Sequence, residues 1–153
     1  MAAFPSGVTI MTTVDRDGQP WGFAASSFCS LSLDPPLVLV CLARTAQCHP
    51  VFDESDEWAI QVVNPRHLDL VAKFATKGAD KFGGREFVHN DHGVPVLPDA
   101  SVVLQCSAHA RHEGGDHTIL VARVNRVDLS ETAPVLYFQR DFHRLADSMP
   151  LTG

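Results

Sequence analysis

Residues 114 to 118, GGDHT, place an imidazole and a carboxylate beside two glycines, just ahead of the apolar series ILVARV. An imidazole holds a polar ligand by hydrogen bond or passes a proton near neutral pH, and glycines let a bulky ligand approach the backbone. The same residues also suit a hairpin turn that merely opens a strand, so this stretch alone does not assign His117 a role. A second cluster, AASSFCSLS, sets four serines (Ser26, Ser27, Ser30 and Ser32) within seven residues after Ala25. Hydroxyls and backbone N–H groups on one curved segment bind anions and the polar edge of a planar ring. Serine is also common in loops, and composition by itself favours a solvated connection.

A third cluster, CLARTAQCHP at residues 41 to 50, delivers Arg44 and Thr45 at the end of an apolar run containing Leu42 and Ala43. A guanidinium and a hydroxyl at a strand terminus suit a phosphate, and a surface arginine capping the strand is an equal reading. A fourth, KFATKGADKFGG at residues 73 to 84, combines Lys73, Lys77 and Lys81 with Phe74, Ala75 and Phe82. Positive charge with flat aromatic surface suits a phosphate-bearing ring, although a solvated lysine face over core phenylalanines is the commoner arrangement. His89, His92, His109, His112 and His117 include two HxxH spacings. On a strand, positions three apart face opposite sides, so neither pair converges on a metal, and no helical HExxH pattern is present.

These clusters need elements to position them. SGVTIMTTV and QPWGFAASSF read as strands of a hairpin around the turn DRDG. LVLVCLA follows SLDPP as an almost unbroken apolar strand, expected to be buried on both faces. CHPVFDES predicts a short helix and EWAIQVV another strand. NPRHLDLVAKFATKG predicts a helix with Asn64 as N-cap, Pro65 in the first turn and Gly78 as its stop. Residues 83–99 read as a loop, and ASVVLQCSAHA and HTILVARVNRVDL read as long strands flanking RHEGGD. PVLYFQ is a last strand before a polar tail. Many strands, one good helix and no βαβ rhythm predict a mainly antiparallel β-barrel with helical additions.

The 153 residues suit one domain spanning 1–153. Net charge is −6, and this opposes binding to a phosphate backbone, which requires clustered Lys and Arg. No apolar run reaches the length of a membrane helix, and the first residues show no secretory signal, so a cytoplasmic location is expected. Cys29, Cys41, Cys48 and Cys106 form no CxxC pair and predict neither a disulfide framework nor a structural zinc.

Taken in order along nearly the whole chain, FPSGVTIMTT, GFAASSFCSLSLDPPLVLVCL, HLDLVAKFATKGADKF, GVPVL, LQCSAHARHEGGDHTILVARV and PVLYF resemble the flavin reductase family of FMN-binding split barrels. The resemblance implies a six-stranded antiparallel split β-barrel, homodimeric, that reduces FMN or FAD with NADH or NADPH and passes free reduced flavin to a partner monooxygenase. It implies flavin contacts at Ala25, Ser26, Ser27 and Ser30 with Ser32 nearby, at Leu42, Ala43, Arg44 and Thr45, and at Phe74, Ala75, Lys81 and Phe82. The family's GDH motif falls on Gly115, Asp116 and His117, with His117 the nicotinamide-contacting residue. Ala24 replaces the family's usual Thr or Ser, and Ala46, Gln47 and Cys48 replace a Ser-x-Thr pattern. The loss of these hydroxyls implies weaker flavin binding. The resemblance places the family's F-x-S/T-G-V strand start at the beginning of this sequence, so its usual N-terminal helical stretch is expected to be missing or very short. A flavin- or haem-binding module without turnover is the alternative, and a metal-dependent enzyme built on the histidines is a third reading.

Overall fold

A computed structural model describes residues 3–84 and 87–145. In chain order, β1 (Ser6–Gly7), β2 (Thr9–Val14), β3 (Pro20–Ala25), β4 (Cys29–Leu33) and β5 (Pro36–Ala43) lead to helix α1 (His49–Glu54) and β6 (Glu57–Val62). Helix α2 (Leu68–Ala75) follows, then the two-residue strands β7 (Val88–His89) and β8 (Pro95–Val96). The chain continues through β9 (Val102–Gly114), β10 (His117–Leu129), β11 (Val135–Phe138) and β12 (Asp141–Arg144).

The main sheet has the order β3-β2-β6-β9-β10-β5-β4, and its neighbouring strands are all antiparallel. Three hairpins build most of it: β2–β3 around DRDG, β4–β5, and β9–β10. Asp15 and Gly18 close the first turn, with Gly18 at a φ of 76° that glycine adopts freely. The predicted mainly antiparallel fold is present, with a seventh strand where six were expected. The addition is β4, formed by serines read from the sequence as a loop, and paired through Ser30 with Val38 of β5.

One apolar cluster sits beneath α2, from Ile10, Val63, Leu70 and Phe74, and another fills the inside of the curved sheet, from Met11, Phe52, Trp58 and Leu120. Between them Gln61 is fully buried with its amide satisfied. Its Nε2 donates to the Ile10 carbonyl at 3.2 Å and to Thr12 Oγ1 at 3.0 Å, and its Oε1 accepts from the Leu97 N–H at 3.0 Å. A buried amide costs little only when satisfied in this way, so Gln61 ties β2 and β6 to the segment approaching β9.

Three expectations are corrected. Strand β5 is not buried on both faces: Val38, Val40 and Leu42 are buried, while Leu37, Leu39, Cys41 and Ala43 are half-exposed. Cys41 and Ala43, at the end of the outer face, line the groove described below. The single helix from Pro65 towards Gly78 is instead a 3₁₀ turn at Pro65–His67 followed by α2, which ends at Ala75. Asn64 caps the turn as expected, and His67 Nδ1 accepts the Asn64 N–H at 3.3 Å. Thr76 then leaves the helix in an extended conformation, its hydroxyl donating back to the Ala72 carbonyl at 2.8 Å. Third, the tail after β11 continues into β12, and both join β1 in a small separate sheet.

Candidate functional site

Gly114 and His117 pair across a two-residue turn whose centre is Gly115 and Asp116. Only the first of these has positive φ, 71° at Gly115, the pattern of a type II′ hairpin. Glycine at that position is therefore a requirement of the turn. It fixes where β10 begins, and β10 begins with His117. The Arg44 N–H donates to the Asp116 carbonyl at 2.9 Å, so the end of β5 pins the hairpin tip, with His117 opposite Ala43.

The His117 side chain is half-exposed, and its Nδ1 lies 2.7 Å from Asp116 Oδ1. The hydrogen bond from His117, and then its charge, hold the Asp116 carboxyl below the usual range. A depressed carboxyl stays ionised at neutral pH. Ionised, Asp116 is the acceptor that faces Nδ1. The imidazole keeps Nε2 for a ligand.

His117 lines a cavity of about 360 Å³ together with Ala25, Ser26, Ser27, Leu42 and Ala43. Phe23, Ala46, Phe74 and Ala75 also line it, and the same four residues line a second cavity of about 620 Å³. The two are consecutive parts of one groove. Where they meet, two alanines stand beside two phenylalanines, leaving a slot with flat apolar walls of the kind a planar ring enters. Ser27 shapes this region through its hydroxyl, which accepts the Cys41 N–H at 3.0 Å. That bond joins the β3–β4 connection to β5 where no strand ladder does so.

The larger cavity adds Thr45, Gln47, Lys77, Lys81 and Phe82. Gln47 Oε1 accepts the Gly78 N–H at 3.0 Å, and Lys81 Nζ donates to the Thr76 carbonyl at 2.5 Å. These bonds hold the segment after α2 as a wall that carries two ammonium groups. Phe74 is buried and meets the Phe82 ring at 5.2 Å and 74°, an edge-to-face contact that fixes the aromatic side of the wall. Opposite stand Trp21 and Gly22 of β3. A Cβ at Gly22 would lie 2.6 Å from Phe74 Cε1, so glycine is what lets α2 sit this close to β3.

Most sequence candidates therefore meet in one groove: Ala25, Ser26, Ser27, Leu42, Ala43 and His117 at one end, Phe74 and Ala75 in the middle, and Thr45, Lys81 and Phe82 at the other. Gly115 and Asp116 act behind it by holding His117. Ser30, Ser32 and Arg44 line neither cavity. Ser30 and Ser32 lie on β4, and the exposed Arg44 guanidinium is 3.8 Å from Glu113. The cations that line the groove are Lys77 and Lys81. No motif singled out Trp21, Phe23 or Gly22 as site residues, because a strand's groove-lining and core-facing residues look alike until its neighbours are known. Among the described residues no three His, Cys, Asp or Glu side chains gather to hold a metal.

Cys48 lines the larger cavity, but burial pushes its thiol up to about 11, and burial with the Glu57 charge pushes Cys106 up to about 12. Both stay protonated at neutral pH and take no part as nucleophiles. Cys29 is exposed. In the folded protein a thiol reagent at neutral pH should label Cys29 first and reach Cys48 and Cys106 only after denaturant is added. Rapid native labelling of Cys48 would contradict this geometry.

A family profile described as "Flavin reductase like domain" matches residues 1–146. The chain is 48% identical over 149 residues to the Streptomyces coelicolor protein named actinorhodin polyketide dimerase, covering 97% of this chain and 84% of that protein. It is 38% identical over 153 residues to the NADH:riboflavin 5'-phosphate oxidoreductase of Streptomyces pristinaespiralis, covering 98% and 87%. It is 34% identical over 143 residues to HsaB, the reductase subunit of a flavin-dependent monooxygenase in Rhodococcus jostii, covering 93% and 73%. Among solved structures, the NADH:FAD oxidoreductase SgcE6 of Streptomyces globisporus, in complex with NAD and FAD fragments, superposes with a TM-score of 0.89 at 32% identity. That superposition covers 95% of this chain and 88% of SgcE6.

Proposed function

The chain belongs to the flavin reductase family, and we infer that its groove brings a nicotinamide and a flavin together for hydride transfer. It is a flavin reductase that draws hydride from NADH or NADPH and supplies reduced FMN or FAD to a partner monooxygenase, a reading supported by relatives named NADH:riboflavin 5'-phosphate oxidoreductase and reductase subunit of a flavin-dependent monooxygenase. The observation that carries this reading is the continuous groove, lined in its middle by Phe23, Ala46, Phe74 and Ala75, with His117 at one end and two lysines at the other. The family match spans nearly all residues, which supports treating 1–153 as one catalytic domain.

When both substrates are bound, they supply the chemistry themselves, a hydride passing from nicotinamide C4 to flavin N5. The protein's part is to stack and orient them, so no side-chain acid or nucleophile is needed. Ala25, Ala43 and Ala75 leave room for the flat ring. Backbone N–H groups near Ser26 and Ser27 would face its polar edge, where negative charge grows on reduction. The Ser27 hydroxyl is already committed to Cys41, so its contribution there falls to the backbone. Thr45, Lys77 and Lys81 would take the flavin phosphate, supplying hydroxyl and charge where Ala46 and Cys48 have none. His117 Nε2, oriented by Asp116, would hold the nicotinamide carboxamide.

A homodimer is part of this proposal, on the pattern of the family that the chain belongs to. Sedimentation of the purified protein measures it directly, and a single copy would remove it. The activity is tested by following NADH and NADPH consumption with added FMN, FAD or no flavin. Rapid consumption that requires free flavin is expected, with NADH preferred. A yellow protein that retains flavin and oxidises neither nucleotide would overturn the reading.

A further inference from the structure

We propose that Gln47 is a positioning residue for flavin binding: by holding the Gly78 N–H it fixes the preceding residue, Lys77, where its ammonium meets the flavin phosphate. This rests on the flavin-reductase reading of the same groove.

The segment after α2 needs a tie to the rest of the protein. It leaves the helix at Thr76 in an extended conformation, and residues 77–84 join no strand. Two of its hydrogen bonds are local: Lys81 Nζ donates to the Thr76 carbonyl, and the Gly83 N–H donates to Asp80 Oδ1 at 2.9 Å. Among the described residues, the hydrogen bond that leaves the segment runs from the Gly78 N–H to Gln47 Oε1 at 3.0 Å. It reaches the β5–α1 connection, and Gln47 and Lys77 line the same 620 Å³ cavity.

The two lysines of that cavity are held differently. Lys81 has its own bond to Thr76, and the adjacent Phe82 packs on Phe74 and Phe87. Lys77 is exposed and makes no side-chain hydrogen bond or ion pair among the described residues, so its backbone decides where the ammonium can reach. An exposed lysine contributes to an ion pair only when its position is held, because ordering a free side chain offsets most of the attraction. The backbone is set one residue on, at Gly78, whose φ of 75° is open to glycine. Gln47 is a firm post for it. The Ala46 N–H donates to the Ala43 carbonyl and the His49 N–H to the Ala46 carbonyl, both at 3.0 Å, and Cys48 is buried. Ala46 and Cys48 bring no hydroxyl to the cavity, which leaves the anion to Thr45 and the lysines and makes the placing of Lys77 matter more.

The experiment is a fluorescence titration with FMN and with riboflavin, which lacks the phosphate, on the wild type, Gln47→Leu, Lys77→Met and the double variant, with the NADH KM measured alongside. Gln47→Leu should weaken FMN binding about fivefold, the loss of one hydrogen bond, and leave riboflavin within about twofold and the NADH KM unchanged. The double variant should bind FMN no more weakly than Lys77→Met alone, because Gln47 acts through that lysine. Gln47 is exposed, and its replacement should leave the melting temperature as it is. If the leucine variant melts early, Gln47→Ala takes its place with the same pattern expected. Unchanged FMN affinity or an equal loss for riboflavin would overturn the assignment. So would losses that add in the double variant, which would mean that Gln47 touches the phosphate itself. A wild type that binds FMN but does not oxidise NADH with it fails the reductase reading alone, and one that binds no FMN overturns both.

Discussion

Replacing His117 with alanine is expected to lower kcat/KM for NADH by about tenfold, the loss of roughly one well-placed hydrogen bond, while flavin affinity stays within about twofold. The split follows from position. His117 sits at the far end of the groove from Thr45, Lys77 and Lys81, so the phosphate-binding wall does not sense its removal. The fold does not sense it either: the side chain is half-exposed, and the turn is set by Gly115 and by the Arg44 N–H bond to Asp116. Steady-state kinetics with NADH varied at saturating flavin, and with flavin varied at saturating NADH, separate the two effects. Unchanged NADH kinetics, or equal losses for both substrates, would return His117 to being the first residue of a strand.

Gly22→Ala should destabilise the protein by about 1–3 kcal/mol, the usual cost of overpacking. In an open strand the same change would be favourable by up to about 1 kcal/mol, because alanine restricts the unfolded chain. Here the steric term wins. The new Cβ would stand 2.6 Å from Phe74 Cε1 and 2.7 Å from the Met11 carbonyl oxygen, and neither has room to retreat. The Met11 oxygen is backbone, on the strand paired with β3, and the Phe74 ring is backed by Phe82 and Phe87 at centroid distances of 5.2 and 6.2 Å. For a chain of this size the melting temperature should fall by roughly 5 °C. Because Phe74 belongs to both cavities, flavin affinity should fall with it. A melting temperature equal to or above the wild type would show that α2 is not held against β3 by this contact.

The hairpin of GGDH was legible from residues 114 to 117 alone, because turn chemistry is local: glycine with positive φ ahead of an aspartate closes a two-residue turn whatever surrounds it. The cap at Asn64 was legible for the same reason. The end of α2 was not. No stop signal appears in the sequence before Gly78, yet the chain leaves the helix at Thr76 to form the wall that Gln47 and Lys81 hold, and those bonds reach 31 and 5 residues away.

Likewise the serines after Ala25 announced a polar segment but not its division of labour. Ser26 and Ser27 line the groove, while Ser30 and Ser32 lie on a strand that lines neither cavity. Arg44 and Lys81 looked like equivalent cations until one faced Glu113 and the other entered the cavity wall.

By itself, then, the sequence determined the mainly antiparallel β class, the turn that presents His117, the order of the binding segments and the family they resemble. All of these follow from residues a few positions apart or from their order along the chain. The tertiary structure alone decided that β3 runs along the groove, that Gly22 leaves room for Phe74, and that Trp21 lines the groove away from His117. Those facts depend on which strands become neighbours, and pairings across long stretches of chain are set by packing the whole barrel at once.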